Sequence, residues 1–191
     1  MGHFYTSRGR YDDAREMYGE ADKQLEVLYP GDHPARALQL NNVAALLMEE
    51  SSYAKAESLY SASLEMKKRL YPTPHRDLGL AYNNLGTVYR DLGRNIEARS
   101  SFSQAVAIFR ALGVTAKEET AVALSNLGRM EAILGNTVEG GSMLEEALRI
   151  REELFDDGHQ ERIASHRMLA QFHVQSENAS AALHHFQEVL F

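Results

Sequence analysis

Apolar side chains recur every three or four residues along most of the chain, a spacing that places them on one face of an α-helix. Two such stretches lie on either side of Gly93, a residue that can end a helix in the left-handed conformation at no steric cost. Helices joined by so short a turn must pack antiparallel, so this segment is predicted to form a helical hairpin. The apolar positions are Leu78, Tyr82, Leu85, Tyr89 and Leu92, then Ala98, Phe102, Ala105, Phe109 and Leu112.

The hairpin pattern recurs with a period of 42 residues, which is typical of a protein built from repeated structural units. Three segments align without a gap, and a fourth, truncated segment follows them. Before them lies the end of one first helix with a complete second helix. We therefore expect one continuous domain made of a partial repeat, three complete repeats and a truncated terminal repeat. Their bounds are 1–32, 33–74, 75–116, 117–158 and 159–191.

Small and large residues alternate at fixed positions of the repeat, as interlocking helices require. The helix-ending position contains Gly9, Gly93 and Gly135, with Ser51 and Glu177 at the equivalent places in other repeats. A small residue recurs inside the first helix, where a neighbouring helix must approach closely: Ala44, Gly86, Gly128 and Ala170. Gly140 and Gly141 fall within a second helix, and we expect a weak, flexible helix start there. The reason is that each glycine costs about 1 kcal/mol relative to alanine.

At these fixed positions of the repeat, the sequence resembles the tetratricopeptide repeat family. Its long period of 42 residues resembles the subtype found in kinesin light chains. The likeness rests on segments such as Leu40–Ala44, Tyr53–Tyr60 and Tyr82–Gly86. The resemblance implies an all-α fold, a right-handed α-solenoid of antiparallel helix hairpins that forms a superhelix. It also implies a protein- or peptide-binding scaffold or adaptor. Kinesin light chains hold short, often acidic cargo peptides in a concave groove, and the resemblance implies similar recognition here.

The first helix of each repeat lines the concave wall of such a superhelix, so polar residues at its outward positions are candidate ligand contacts. An asparagine amide can both donate to and accept from a peptide backbone, and an arginine can pair with an acidic ligand residue. Alternatively, the asparagines serve only neighbouring helix ends and solvent. The candidate groove residues are Asn41, Asn42, Asn83, Asn84, Thr87, Arg90, Ser125, Asn126, Arg129, Arg167 and Gln171.

Composition narrows the classes of partner. A formal charge of −7 argues against non-specific nucleic-acid binding, which needs a basic surface. No apolar stretch is long enough to span a membrane, and without cysteine neither a disulfide nor a thiolate site can form. We expect a cytoplasmic protein whose partner is another protein or an extended peptide, with no nucleic-acid or membrane partner.

Candidate chemistry is sparse. His166 and His173 lie seven residues apart on one predicted helix, and we expect half-buried core imidazoles there rather than metal ligands. No nucleophile–base constellation is present, so no enzymatic activity, metal or cofactor is expected. Three acidic pairs near predicted helix ends are expected to be solvated charges: Glu49 with Glu50, Glu118 with Glu119, and Asp156 with Asp157.

Two other functions stay open. Neither end of the sequence has the polar capping helix that solenoids use for solubility, so the chain is a fragment of a longer array or its ends pair with another copy. The first alternative is therefore a structural module that self-associates through these ends into a homo-oligomer. The second is a regulatory arm of a larger enzyme.

Overall fold

The computed structural model describes residue 6 and residues 8–190. Between residues 8 and 190 the chain forms nine α-helices and one short 3₁₀ turn, Gly113–Ala116, and no strand. The predicted first-helix end within residues 1–7 lies outside the described residues, apart from Thr6, and so does Phe191. The helices are α1 Tyr11–Leu28, α2 Pro34–Glu49, α3 Tyr53–Leu70, α4 Arg76–Asp91, α5 Asn95–Leu112, α6 Lys117–Ile133, α7 Thr137–Leu154, α8 Gln160–Gln175 and α9 Ala179–Leu190.

The turns between the two helices of each hairpin follow one pattern, which confirms the predicted helix-ending column. The residue after the helix cap has a positive φ, and the next N–H donates back to a carbonyl five residues earlier. In the second complete repeat, for example, the Arg94 N–H donates to the Tyr89 carbonyl at 2.8 Å. These bonds satisfy carbonyls that the helix end would leave exposed. The φ angles are 56° at Ser51, 74° at Gly93, 91° at Gly135 and 58° at Glu177.

A histidine cap begins the first helix in three of the repeats. The imidazole Nδ1 of His75 accepts a hydrogen bond from the Asp77 N–H at 3.2 Å, and its ring stacks on Tyr71 at 3.9 Å between centroids. The cap satisfies one of the free N–H groups at the helix start. His33 with Tyr29 and His159 with Phe155 repeat both contacts. The stacking partner four residues before each histidine is a feature that our sequence interpretation missed.

A close crossing of α6 and α7 explains the glycines within these helices. A Cβ added at Gly128 would lie 2.8 Å from the Gly140 carbonyl oxygen, and one at Gly140 would lie 2.7 Å from that of Gly128. A Cβ at Gly141 would meet the ring of Phe172 at 3.0 Å. The expected close approach at Gly128 is therefore confirmed. The expected flexible helix start is wrong, because both glycines are buried within α7 and fit against neighbouring helices.

The chain divides into two compact units, residues 1–101 and residues 102–191, hereafter unit 1 and unit 2. In unit 1, Ala14 and Tyr18 of α1 pack against Leu46 of α2. In unit 2, Leu144 and Leu148 of α7 pack with two buried residues of α8, Leu169 and Phe172. The single continuous domain stays a prediction. Within the described part of the chain, no helix combines the length and the apolar character that a membrane crossing requires.

Candidate functional site

The predicted asparagines of unit 1 lie half-buried on α2 and α4. The Asn84 side-chain amide donates to the Asn41 side-chain oxygen at 2.8 Å, so two successive first helices are linked by asparagines at neighbouring repeat positions. The Thr87 hydroxyl donates to the Asn83 carbonyl at 3.2 Å. Asn42 is half-buried beside them on α2. At least one pair of these amides is therefore engaged within the protein, through a contact between two asparagines and not through the helix ends and solvent of the alternative interpretation.

Unit 1 contains a cavity of about 340 Å³ beside the asparagine pair, which we call the N-terminal cavity. Its wall includes Glu49 of α2, Tyr60 of α3, and Asn84, Thr87 and Asp91 of α4. Two of the predicted site residues, Asn84 and Thr87, therefore lie in it. The acidic residues were not among our candidates, because charged residues at helix ends are ordinarily solvated.

The N-terminal cavity has a negative wall. Glu49 and Asp91 are the last residues of α2 and α4, where the helix dipole already carries partial negative charge. Burial raises the pKa of Tyr60 to about 12, and the nearby Glu49 carboxylate acts in the same direction. The Tyr60 hydroxyl therefore stays neutral at physiological pH. Arg90, which we expected to face a ligand, pairs with its neighbour Asp91 at 2.8 Å.

Unit 2 contains a smaller cavity of about 120 Å³, which we call the C-terminal cavity. Arg129 and Ile133 of α6 line it together with Met168, Gln171 and Phe172 of α8. The structure thus brings together Arg129 and Gln171, two predicted site residues that are both exposed. The isoleucine is 57% exposed, so this cavity offers accessible apolar surface beside a cationic group.

The two cavities occupy equivalent places in the repeat. Each is formed by the two helices of one repeat and the first helix of the next. Residues that are two repeat lengths apart line corresponding walls of the two cavities. The helices that form each cavity are thus equivalent, while the side chains on its wall differ. The pairs, with the N-terminal member first, are Ala45 and Arg129, Glu49 and Ile133, Tyr60 and Leu144, Asn84 and Met168, Thr87 and Gln171, and Asp91 and Gln175.

Ser125 does not lie on an accessible surface, contrary to our expectation. It is only 4% exposed, and its hydroxyl accepts a hydrogen bond from the buried guanidinium of Arg151 at 3.3 Å. We therefore leave Ser125 out of the site. Asn126 is half-buried on α6, and Arg167 is exposed on α8 but does not line the C-terminal cavity.

Arg151 is the centre of a polar network inside unit 2. Its guanidinium donates to the Ser165 hydroxyl at 2.7 Å and lies 3.4 Å from Glu118 and 3.5 Å from Glu161. Burial raises the pKa of Glu118, and Arg151 opposes that rise. One Glu118 oxygen is buried without a hydrogen bond. The expectation that Glu118 is a solvated charge is therefore wrong.

Four histidines cluster where α8 and α9 pack together. The Nδ1 atoms of His166 and His185 lie 3.1 Å apart, and His173 stacks on His185 at 5.5 Å between centroids. Burial lowers the pKa of His185 to about 4, helped by His166, His184 and His173, and burial also lowers the pKa of His166. Within residues 6 and 8–190, no group of three or more histidines or acids is arranged to hold a metal ion.

Comparisons with known proteins agree with this architecture. A family model described as tetratricopeptide repeat matches residues 36–111 and 119–190. No curated protein matches the chain in sequence.

Three solved structures share the fold at low sequence identity. A Podosopora anserina protein of nearly identical TPR-like repeats, described as a kinesin light chain, is 19% identical over 98% of this chain and 89% of its own, with a TM-score of 0.82. BtubC (BKLC) from P. vanneervenii is 17% identical over 98% and 75% of the two chains, with a TM-score of 0.85. A Rap protein complexed with competence and sporulation factor is 18% identical over 99% and 51%, with a TM-score of 0.80.

Proposed function

Because the chain belongs to the tetratricopeptide repeat family, we propose that it is a scaffold that binds an extended segment of a partner protein. The family match and the solved structures confirm the predicted resemblance and the all-α fold of the α-solenoid class. The proposal adds that the candidate groove residues other than Ser125 contact a cargo-type ligand. The Rap protein, complexed with competence and sporulation factor, supports a binding role for this fold.

The C-terminal cavity is the observation on which this proposal depends. Arg129 and Gln171 line this cavity together with three apolar residues, Ile133, Met168 and Phe172. A guanidinium recognises a carboxylate in a charge-assisted hydrogen bond. Removal of the apolar cavity surface from water on ligand binding is favourable as well. The ligand class that fits both features is a peptide with an acidic residue next to an apolar or aromatic one.

A screen of short random peptides displayed against the full chain tests this function. We expect enrichment of peptides that pair an acidic with an apolar residue, and weaker binding at higher salt because the charge contact is exposed. In Arg129→Glu, the reversed charge should weaken their binding about tenfold or more. The matched control is Arg149→Glu, since Arg149 is also exposed in unit 2 but lies outside the cavity.

Two outcomes would count against the proposal. One is a screen that enriches no sequence class. The other is an equal loss of binding in the two arginine variants, because a general charge effect would then explain the result better than a defined cavity.

Self-association remains a second candidate function, favoured by one exposed aromatic residue. Phe186 of α9 is 41% exposed, whereas Tyr60 and Leu144 at the same repeat position are buried. Leu183 is also exposed on α9. Sedimentation at increasing protein concentration would distinguish the two candidates, since a monomer at all concentrations excludes association through this face.

A further inference from the structure

The N-terminal cavity differs from its equivalent in unit 2 mainly in the chemistry of its wall. Carboxylates of Glu49 and Asp91 stand where the C-terminal cavity has Ile133 and Gln175. Tyr60 likewise replaces Leu144, so three apolar or neutral positions become acidic or polar. The repeat therefore preserves the cavity while the chemistry of its wall changes.

Glu49 is placed where charge does not help the helix. A carboxylate at the last residue of a helix opposes the helix dipole and is unfavourable there. Among residues 6 and 8–190, no cation lies within ion-pair distance of the Glu49 carboxylate. Its neighbour Glu50, by contrast, pairs with Arg15 at 2.9 Å. Glu49 is exposed, so its charge is solvated by water and has no ion-pair partner in the described part of the chain.

The other polar groups of the wall are left with capacity to accept. Arg90 contacts only one carboxylate oxygen of Asp91, which leaves the second oxygen available. The Thr87 hydroxyl already donates its hydrogen bond to the Asn83 carbonyl, so it can only accept from a ligand. The Tyr60 hydroxyl makes no hydrogen bond to any residue of the described chain, although Tyr60 is only 6% exposed. In the described part of the chain the buried side-chain oxygen without a partner belongs to Glu118, so the Tyr60 hydroxyl oxygen is still accessible and can accept a hydrogen bond from a ligand.

We propose that the N-terminal cavity binds the cationic side chain of a lysine or arginine in a partner peptide, with Glu49 and Asp91 as counter-charges and Tyr60 as an additional acceptor. Lysine and arginine side chains have donors and no acceptor, which matches the wall. An acidic side chain, which the resemblance to kinesin light chains implied, would meet like charge here. The inference rests on the proposed scaffold function and adds a ligand class of opposite charge.

The first test uses a ligand too small to need the rest of the groove. Nα-acetyl-lysine methylamide is titrated into the isotope-labelled full chain, and backbone amide resonances are followed by NMR. We expect saturable shifts at Glu49, Tyr60 and Thr87, and none with the Nε-acetylated derivative, which has lost its charge. Shifts elsewhere, no shifts, or equal shifts with both compounds would overturn the inference. Because this ligand makes no other groove contacts, a failed peptide screen leaves the result interpretable.

Substitutions then assign the effect to the wall. Glu49→Gln removes the charge but keeps the shape, and should weaken the lysine derivative about tenfold. Tyr60→Phe removes only the hydroxyl and should weaken it by a smaller factor. The charge-matched control is Glu16→Gln, since Glu16 is an exposed acid of α1 outside the cavity. If Glu16→Gln weakens binding as much as Glu49→Gln, net charge explains the effect and the proposed site is wrong.

Discussion

Arg151 links three helices of unit 2 through a single side chain. The arginine belongs to α7, and its partners are Ser125 and Glu118 on α6 and Ser165 and Glu161 on α8. The sequence predicted Ser125 as a ligand contact, because Asn41 and Asn83 occupy its position in the two preceding repeats. It could not show that a long side chain from the next helix would reach this serine. A position in the repeat predicts on which helix face a residue lies. The hydrogen-bond partner of that residue depends on tertiary packing.

Replacing Arg151 with methionine should destabilise the protein by about 1–3 kcal/mol at neutral pH, because buried acceptors lose their donor. The loss should shrink at lower pH. Burial raises the pKa of Glu118 in the folded state, and removing Arg151 removes the opposing effect. A carboxyl with a raised folded pKa destabilises the fold above that pKa, and this penalty disappears as pH falls and the group is protonated.

Urea denaturation of both proteins at neutral pH and near pH 5 measures the change. Glu118→Gln in the Arg151→Met background should restore part of the stability at neutral pH, since it removes the uncompensated charge. A destabilisation that is equal at the two pH values would show that packing, and not the Glu118 charge, dominates the effect of Arg151.

At the scale of the elements, local patterns accounted for the hairpins but not for all glycines. The helix-ending column could be predicted even at Ser51 and Glu177, because the turn requires one residue at positive φ wherever the period places it. Gly140 and Gly141 were misinterpreted because helix propensity considers one helix alone. The neighbouring helix decides their role, since the space for a side chain is occupied by backbone at Gly128 and by the ring of Phe172.

Gly128→Ala should therefore destabilise the protein, although alanine favours the helix by about 1 kcal/mol. The added methyl would lie 2.8 Å from the Gly140 carbonyl oxygen, and overpacking of this kind costs about 1–3 kcal/mol or more when backbone must move. Gly19→Ala is the matched control, because Gly19 is helical and has open space around its Cβ position. Thermal unfolding should show a lower midpoint for Gly128→Ala and an equal or higher one for Gly19→Ala. Two increases would contradict the close crossing.

For the whole molecule, the repeat predicted which positions line cavities better than it predicted the chemistry of the cavity walls. Asn84, Thr87, Arg129 and Gln171 all line cavities, as their columns suggested. The wall position with the largest chemical difference contains Glu49 in one cavity and Ile133 in the other. It was missed because a charge at a helix end ordinarily faces solvent. Only the packing of three helices shows that this position lines a cavity.

The two proposed cavities should respond independently to charge reversal, which is a prediction about the complete chain. Glu49→Lys makes one wall repel cationic side chains, and Arg129→Glu makes the other repel acidic ones. Each substitution leaves the residues of the other wall unchanged, because the walls belong to different repeats. Lysine-containing peptides should therefore lose affinity only in Glu49→Lys, and acidic–apolar peptides only in Arg129→Glu. Fluorescence anisotropy measures the affinity of both peptide sets for the unsubstituted protein and for each of the two variants. If each substitution weakens both sets about equally, one shared site binds both classes, and the assignment of opposite preferences to the two cavities is wrong.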